Sequence, residues 1–301
     1  MIDVINGGRW TTIQDRGRPG LERFGIPRGG AADWFAARVA NELVGNPPDA
    51  GLIECTATGP VLRFGVDAIA AVAGGEVASH ANWQAVRFAR GSSLNVGTIG
   101  PGLRTYVAVR GGVDVPLVLG SRSFCQRGTF GGGFGRPLAA GDRLRLGQMV
   151  EHEPATAPWP ASHRLPQRGP WEVRAIAGPQ TDAFAADALE RLGATACRVT
   201  PAIDRMGLRL ETPGLRLQSE EILTVPMTAG AIQVTPSGGL IVLHVDHQTS
   251  GGYPAIATVI HADLPLLAQA RPGDTVRFRI VDWTDAARAL RRTSGWLDLD
   301  L

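Results

Sequence analysis

Glycine interrupts this chain at 39 of its 301 positions, and the apolar segments between the interruptions are short. The runs Ile69 to Val72, Tyr106 to Val109, Ile222 to Val225 and Leu240 to Val245 are rich in β-branched residues and bounded by turn formers. Such runs suit strands, because β-branched side chains pack well on a pleated surface and glycine tightens the turns between them. The pattern predicts a mainly β fold with a few helices. The length allows two cores or one large β architecture.

End signals place the helices. Asp33 can cap a segment through Phe35, Val39 and Leu43, spaced four apart on one face and stopped by Gly45-Asn46-Pro47. A second helix is expected from Thr181 or Asp182 to Leu192 with Gly193 just past its end, a third from Asp263 to Ala270, and a fourth from near Thr284. Prolines 154, 158, 160, 166 and 170 crowd the stretch from Glu151 to Trp171. That stretch is the expected linker, residues 151–171, between an N-terminal β-barrel-like unit, residues 1–150, and a C-terminal unit with a helical tail, residues 172–301. The string Gly141-Asp142-Arg143-Leu144-Arg145-Leu146 is echoed by Gly273-Asp274-Thr275-Val276-Arg277-Phe278, which suggests related turns feeding alternating strands.

The net charge is +2, and all thirty basic residues are Arg. A chain without lysine supplies no Walker A lysine, no Schiff base and no biotinyl-lysine, so ATP or biotin chemistry needs another binding mode or another chain. Acidic residues nearly balance Arg and no dense basic run occurs, which argues against nucleic acid. The apolar runs are too short to cross a bilayer and the N-terminus does not read as a secretory signal, so a cytoplasmic location without membrane attachment is expected. Cys55, Cys125 and Cys197 form neither a disulfide framework nor a zinc pattern.

Several segments carry candidate chemistry. In Gln14-Asp15-Arg16-Gly17-Arg18, the residues Gln14, Asp15 and Arg18 can meet a carboxylate or phosphate from a glycine-punctuated loop; the alternative is a turn in which Asp15 pairs with an Arg. Arg122 either contacts an anion or bonds to backbone carbonyls between strands. The glycine-rich loop from Arg127 to Arg136 lacks a dinucleotide fingerprint and reads as a lid or partner-facing loop. Asp204 and Arg205 suit an internal ion pair. Reading Leu240 to Asp246 as a strand puts His244 and Asp246 on one face and His247 on the other, which leaves no metal site. Beyond it, Asp246, Gln248, Thr249 and Tyr253 crowd around Gly251 and Gly252, where absent side chains give a ligand room. Asp246 can act as a base and Tyr253 can hold a developing oxyanion, or the group is a polar turn with Tyr253 packed over it. Gln233 is a candidate for amide recognition. No Ser-His-Asp arrangement is evident.

Longer strings occur in one order along the chain: Thr11 to Gly20, Gly25-Ile26-Pro27, Gly30-Ala31-Ala32-Asp33, Ala40 to Asn46, Gly111 to Ser123, Asp204 to Leu210, Gly230 to Val234, Thr249-Ser250-Gly251-Gly252-Tyr253-Pro254 and Ala268 to Asp274. Together they resemble the family of the 5-oxoprolinase C subunit, also called biotin-dependent carboxyltransferase or KipI antagonist. The family usually has Ser and Met where this chain has Gly29 and Ala32, and Thr where it has Phe124. The resemblance implies two cyclophilin-like β-barrel subdomains, partnership with a KipI-like B subunit, and a further partner, the A subunit. It implies ATP-dependent hydrolysis of the lactam amide of 5-oxoproline to glutamate. Arg122 or Arg18 would hold the substrate carboxylate, Asp246 would manage a proton, and Tyr253 with Gln233 would polarise the lactam carbonyl beside Thr249, Gly251 and Gly252. ATP would be shared with the partner subunits, and biotin would enter only on another chain. The rival implications are a carboxyltransferase half, as in urea carboxylase or the second subunit of allophanate hydrolase, and a regulatory module that antagonises a KipI-like inhibitor.

Overall fold

A computed structural model describes residues 1–148, 152–212, 214, 215, 217 and 222–297. The chain forms two compact units, one of Met1–Pro19 with Gly29–Gln167 and one of Gly20–Arg28 with Arg168–Leu301. The boundary anticipated at Val150 and Glu151, and the end of the helical tail at 298–301, lie outside the described residues.

The first unit contains β1 (Ile2–Asn6), β2 (Trp10–Gln14), α1 (Trp34–Leu43), β3 (Leu52–Thr56), β4 (Val61–Phe64), β5 (Ala68–Gly74), β6 (Ala85–Phe88), β7 (Ser93–Asn95), β8 (Arg104–Val109) and β9 (Arg143–Leu144). Its strands form a five-stranded sheet, β2-β3-β8-β5-β6, and a four-stranded sheet, β7-β4-β1-β9. Alternate residues of both sheets, among them Ile13, Ile53 and Val107 from one and Val4, Leu62 and Leu94 from the other, fill a single core. The opposite face of the five-stranded sheet is covered by α1, whose Phe35, Val39 and Leu43 are buried as their spacing predicts. Asp33 caps α1 by accepting a hydrogen bond from Ala36 N at 2.8 Å. At its other end Asn46 donates to Val109 O (2.9 Å) and accepts from Gly111 N (2.8 Å), which ties the helix stop to β8.

The proline-rich stretch is a strap on the first unit as far as Gln167. Ala155 N donates to Leu43 O, Trp159 N to Trp83 O, and the Arg164 guanidinium lies 5.4 Å from the Trp83 ring centroid.

The second unit contains β10 (Trp171–Ala177), α2 (Ala188–Ala194), β11 (Ala196–Ile203), β12 (Gly207–Glu211), β13 (Val225–Pro226), β14 (Ala231–Val234), β15 (Leu240–Leu243), β16 (Ser250–Gly251), β17 (Ala255–Val259), α3 (Leu264–Gln269), β18 (Thr275–Ile280) and α4 (Trp283–Gly295). Seven strands close a barrel in the order β10-β17-β14-β15-β12-β11-β18. Closure joins β10 and β18 in parallel, with Trp171 opposite Val276. Along β18, Val276 and Phe278 point inward while Arg277 and Arg279 stay exposed, the period-2 alternation of a barrel wall. The fold is mainly β, as the glycine-punctuated runs predict.

Three local expectations are corrected. The helix from Thr181 breaks because Phe184 turns extended, buries its ring and bridges to Leu217; a 3₁₀ turn covers Thr181–Ala183, and α2 includes Gly193. Of the run Ile222 to Val225, only Val225 enters a strand, and Leu223 is exposed. The strand from Leu240 stops at Leu243, because His244 N turns to Met206 O and His247 N closes back on His244 O.

The echoed Gly-Asp strings fold alike. Asp142 Oδ2 accepts from Ala139 N, and Asp274 Oδ2 accepts from Arg271 N, three residues back in each case. Asp274 also accepts from Trp171 Nε1 at 2.8 Å, whereas Asp142 is gripped at both oxygens by Arg136. Hydrogen bonds from Arg136 hold the Asp142 carboxyl below the ordinary range, against the opposing effect of its burial. A depressed carboxyl contributes stability above its unfolded value of about 3.9 and loses it as pH falls through the folded value. Arg136→Ala is therefore expected to be less stable than the parent at pH 7, by about 1 kcal/mol or less because Arg136 is half exposed. Urea titrations at pH 7 and pH 2.5 check this: the gap should narrow at the lower pH.

Candidate functional site

The first unit gathers four of the predicted binding residues at the end of β2. Gln14 is wholly interior, with Nε2 donating to Thr12 Oγ1 (3.0 Å) and Phe124 O (3.3 Å). Asp15 is buried, and its Oδ1 accepts from Gly17 N (2.7 Å), Ser121 Oγ (2.6 Å) and Ser123 Oγ (2.6 Å). Its Oδ2 accepts from Arg122 N at 2.6 Å. The two motifs around Asp15 and Arg122 are thus one structure, in which the carboxylate is stitched to a Ser-Arg-Ser loop rather than paired with a guanidinium. Arg18 is only 2% exposed, donates from Nη2 to Ser123 O and lies 5.1 Å from the Phe130 ring centroid. Its guanidinium holds the loop from inside, whereas the side chain of Arg122, the other candidate for a substrate carboxylate, is half-buried.

Arg122 differs. Its backbone is fixed by Asp15 and by Gly132 N, and its Cδ lies 2.9 Å from where a Cβ on Gly51 would stand. Its side chain is half-buried and forms no ion pair with a described residue, so its guanidinium is available to an oxyanion.

The glycine-rich loop does not form a phosphate cradle. A Cβ on Gly131 (φ +77) would fall 2.2 Å from Ser123 O, and one on Gly133 (φ +77) 2.7 Å from Val115 Cγ1. These glycines let the loop lie against the protein's own chain.

A buried network beneath α1 carried no sequence signal beyond one carboxylate in an apolar strand. Glu54 Oε2 accepts from Ala32 N (2.8 Å) and from the Tyr106 hydroxyl (2.9 Å), which in turn accepts from Asp33 N (2.7 Å). Burial, with the nearby Glu54 charge, pushes the Tyr106 phenol well above its ordinary value. The network fixes the entry to α1 at the position of Ala32.

In the second unit, Arg205 pairs with Asp246 rather than with Asp204. Arg205 Nε donates to Asp246 Oδ2 (2.8 Å) and Nη2 to Oδ1 (3.1 Å), with the side chains 3% and 1% exposed. Asp204 instead caps the turn by accepting from Met206 N and Gly207 N. Both oxygens of Asp246 are thus engaged by one guanidinium in the interior. His244, Asp246 and His247 are all buried, and they lie beyond the end of the strand at Leu243. Burial lowers the pKa of His247, opposed by its Nδ1 contact with Gln248 O at 2.6 Å and by the charges of Glu22 and Asp246. No cluster of metal-ligating side chains occurs among the described residues.

The turn after Asp246 brings Gln233, Gln248, Thr249, Gly251, Gly252 and Tyr253 together. Gln233 is buried, with Nε2 donating to Tyr253 O (3.1 Å) and Met227 Sδ (3.3 Å), while Oε1 accepts from Gln248 Nε2 (3.3 Å). Thr249 acts through its backbone, accepting from Met227 N at 2.9 Å. A Cβ on Gly251 would stand 3.0 Å from Gln233 Nε2, whereas one on Gly252 would meet nothing closer than 3.9 Å. Tyr253 is 42% exposed, and its phenol has no hydrogen bond among the described residues.

Comparison with known proteins gives consistent relatives. A sequence model for the carboxyltransferase domain, subdomain A and B, matches residues 24–280. The 5-oxoprolinase C subunit of Haemophilus influenzae is 35% identical over 308 residues, covering 99% of this chain and 97% of its own. That of Escherichia coli is 34% identical, covering 96% and 94%. The crystal structure of the K. lactis urea amidolyase superposes with a TM-score of 0.93 at 30% identity; the match covers all of this chain and 20% of that one.

Proposed function

We propose, from the premise that this chain belongs to the carboxyltransferase domain family of subdomains A and B, that it serves as the C subunit of a 5-oxoprolinase. Supporting the reading is one observation: the match to the C subunits of two bacteria runs through nearly the full length of both partners, 99% and 97% for the first. In the proposed reaction a cyclic amide is opened by water, the C–N bond breaking to give glutamate. The A and B subunits complete the assembly, in the cytoplasm. No helix among the described residues is long and apolar enough to cross a membrane.

This chain's residues do not fit an ATP phosphate cradle of their own. It has no lysine, and its glycine-rich loop is closed against Ser123 and Val115. ATP binding is assigned to the partner chains, and biotin would need a carrier lysine elsewhere. What the first unit offers is Arg122, rigidly based and open to an oxyanion. The second offers an amide-rich turn next to Gly251 and the exposed phenol of Tyr253, which has no hydrogen bond among the described residues.

A second reading, a carboxyltransferase part, is favoured by the TM-score of 0.93 to urea amidolyase. Omission tests the first: with the A and B subunits, ATP and 5-oxoproline, glutamate should accumulate only when this chain is present. Glutamate release at the same rate without it would remove the chain from the reaction.

A further inference from the structure

The carboxamides of Gln233 and Gln248 are bonded to each other, yet they are in unlike positions. Both kinds of polar atom on Gln233 are occupied: Nε2 serves Tyr253 O and Met227 Sδ, Oε1 serves Gln248, and the side chain is sealed from solvent. Gln248 is half-buried and uses one N–H. Its Oε1 accepts no hydrogen bond from a described residue, and its second N–H donates none. Gly251 packs closely against both amides, since a Cβ on it would stand 3.0 Å from Gln233 Nε2 and 3.5 Å from Gln248 Nε2, whereas one on Gly252 would meet nothing closer than 3.9 Å. The nearby carboxylate is neutralised, because Asp246 is locked to Arg205.

From this we infer that Gln248 reads the edge of a cis-amide ligand, and that Gln233 is its positioning residue. A carboxamide with a free oxygen and a free N–H is the complement of a group that presents N–H and C=O side by side. Ring lactams and ureido groups have that edge, whereas open-chain trans amides do not. A neutral reader suits a neutral ligand edge, since a charged side chain there would have to be desolvated. Gln233 fixes the torsion of the Gln248 amide by accepting one N–H, and its own interior bonds leave it nothing to offer a ligand. The inference rests on the proposed 5-oxoprolinase reading for its choice of lactam, but the recognition chemistry does not depend on it.

The test is equilibrium binding to the full chain assembled with its partner subunits, using two pairs of probes. One pair is 5-oxoproline and its N-methyl analogue; the other is 2-imidazolidone and its 1,3-dimethyl analogue. Methylation removes the N–H that Gln248 Oε1 would accept, so the parent should prefer the unmethylated probe about tenfold or more in at least one pair. Gln248→Leu should reduce that preference to about twofold, and Gln233→Leu should reduce it in part. A role confined to folding would weaken both members of a pair equally and leave the ratio unchanged. If Gln248→Leu lowers the melting temperature, Gln248→Asn keeps the carboxamide but retracts it, and should lose the preference as well. Preference in the ureido pair alone supports Gln248 while counting against the 5-oxoprolinase reading. No preference in either pair, or one that survives Gln248→Leu, overturns the inference.

Discussion

Arg205→Met is expected to destabilise the protein by about 3–5 kcal/mol, because it strands the Asp246 carboxylate in the interior. The side chains are 3% and 1% exposed, so water cannot replace the lost guanidinium without opening the turn. The pair also fixes geometry: Asp246 N donates to Arg205 O at 2.8 Å, and the chain leaves this bond directly into the Gln248 turn. Removing both charges should cost less than removing one, since a buried pair replaced by apolar side chains of similar size is often neutral. Urea denaturation of Arg205→Met and of the double variant Arg205→Met/Asp246→Leu measures this directly. A single variant as stable as the parent would show that the pair is solvated in solution.

The second large effect is expected at Asp15. Asp15→Ala removes the acceptor of four hydrogen bonds, leaving two serine hydroxyls and two backbone N–H groups without it. Each buried donor left unsatisfied costs about 1–3 kcal/mol, and water entering the space recovers part, so a loss of about 3 kcal/mol or more is expected. Asp15→Asn is not a mild change either. The serine hydroxyls can rotate, but the N–H groups of Gly17 and Arg122 cannot, and either orientation of the new amide points its NH₂ at one of them. Hydrogen exchange of the Arg122 and Ser123 amides reports the loosening: both should exchange faster in Asp15→Asn, while the α1 amides stay protected. Unchanged exchange would mean that the loop is held by its other contacts alone.

Local signals in the sequence predicted local structure well. Asp33 and the four-residue spacing of Phe35, Val39 and Leu43 define α1, because capping and amphipathic burial act within one helix. The Gly-Asp echo marks two turns built by the same backbone bond, since a short polar side chain reaching back three residues needs only its own neighbourhood. Partnerships across the chain were not legible. Asp246 meets Arg205 41 residues away, Asp15 meets Ser123 108 residues away, and Tyr106 meets Glu54 52 residues away. Nothing in a one-dimensional pattern selects those partners over nearer ones such as Asp204. The same limit explains the candidate site: sequence proximity grouped Asp246 with Tyr253, but pairing with Arg205 holds Asp246 in the interior and leaves Gln248 beside Gly251. Gly20–Arg28 belongs with the second unit although it follows β2, a long-range choice that no turn signal encodes.

Whether this chain works in opening a lactam is tested most directly by comparing two substrates in separate reactions. The chain, assembled with the A and B subunits, is given ATP with 5-oxoproline in one reaction, and ATP with urea, bicarbonate, a biotinylated carrier and the biotin carboxylase that charges it in another. A lactam-opening role predicts glutamate formed together with ADP in the first reaction and no carboxylated urea in the second. Carboxylated urea in the second, with no glutamate in the first, would contradict it.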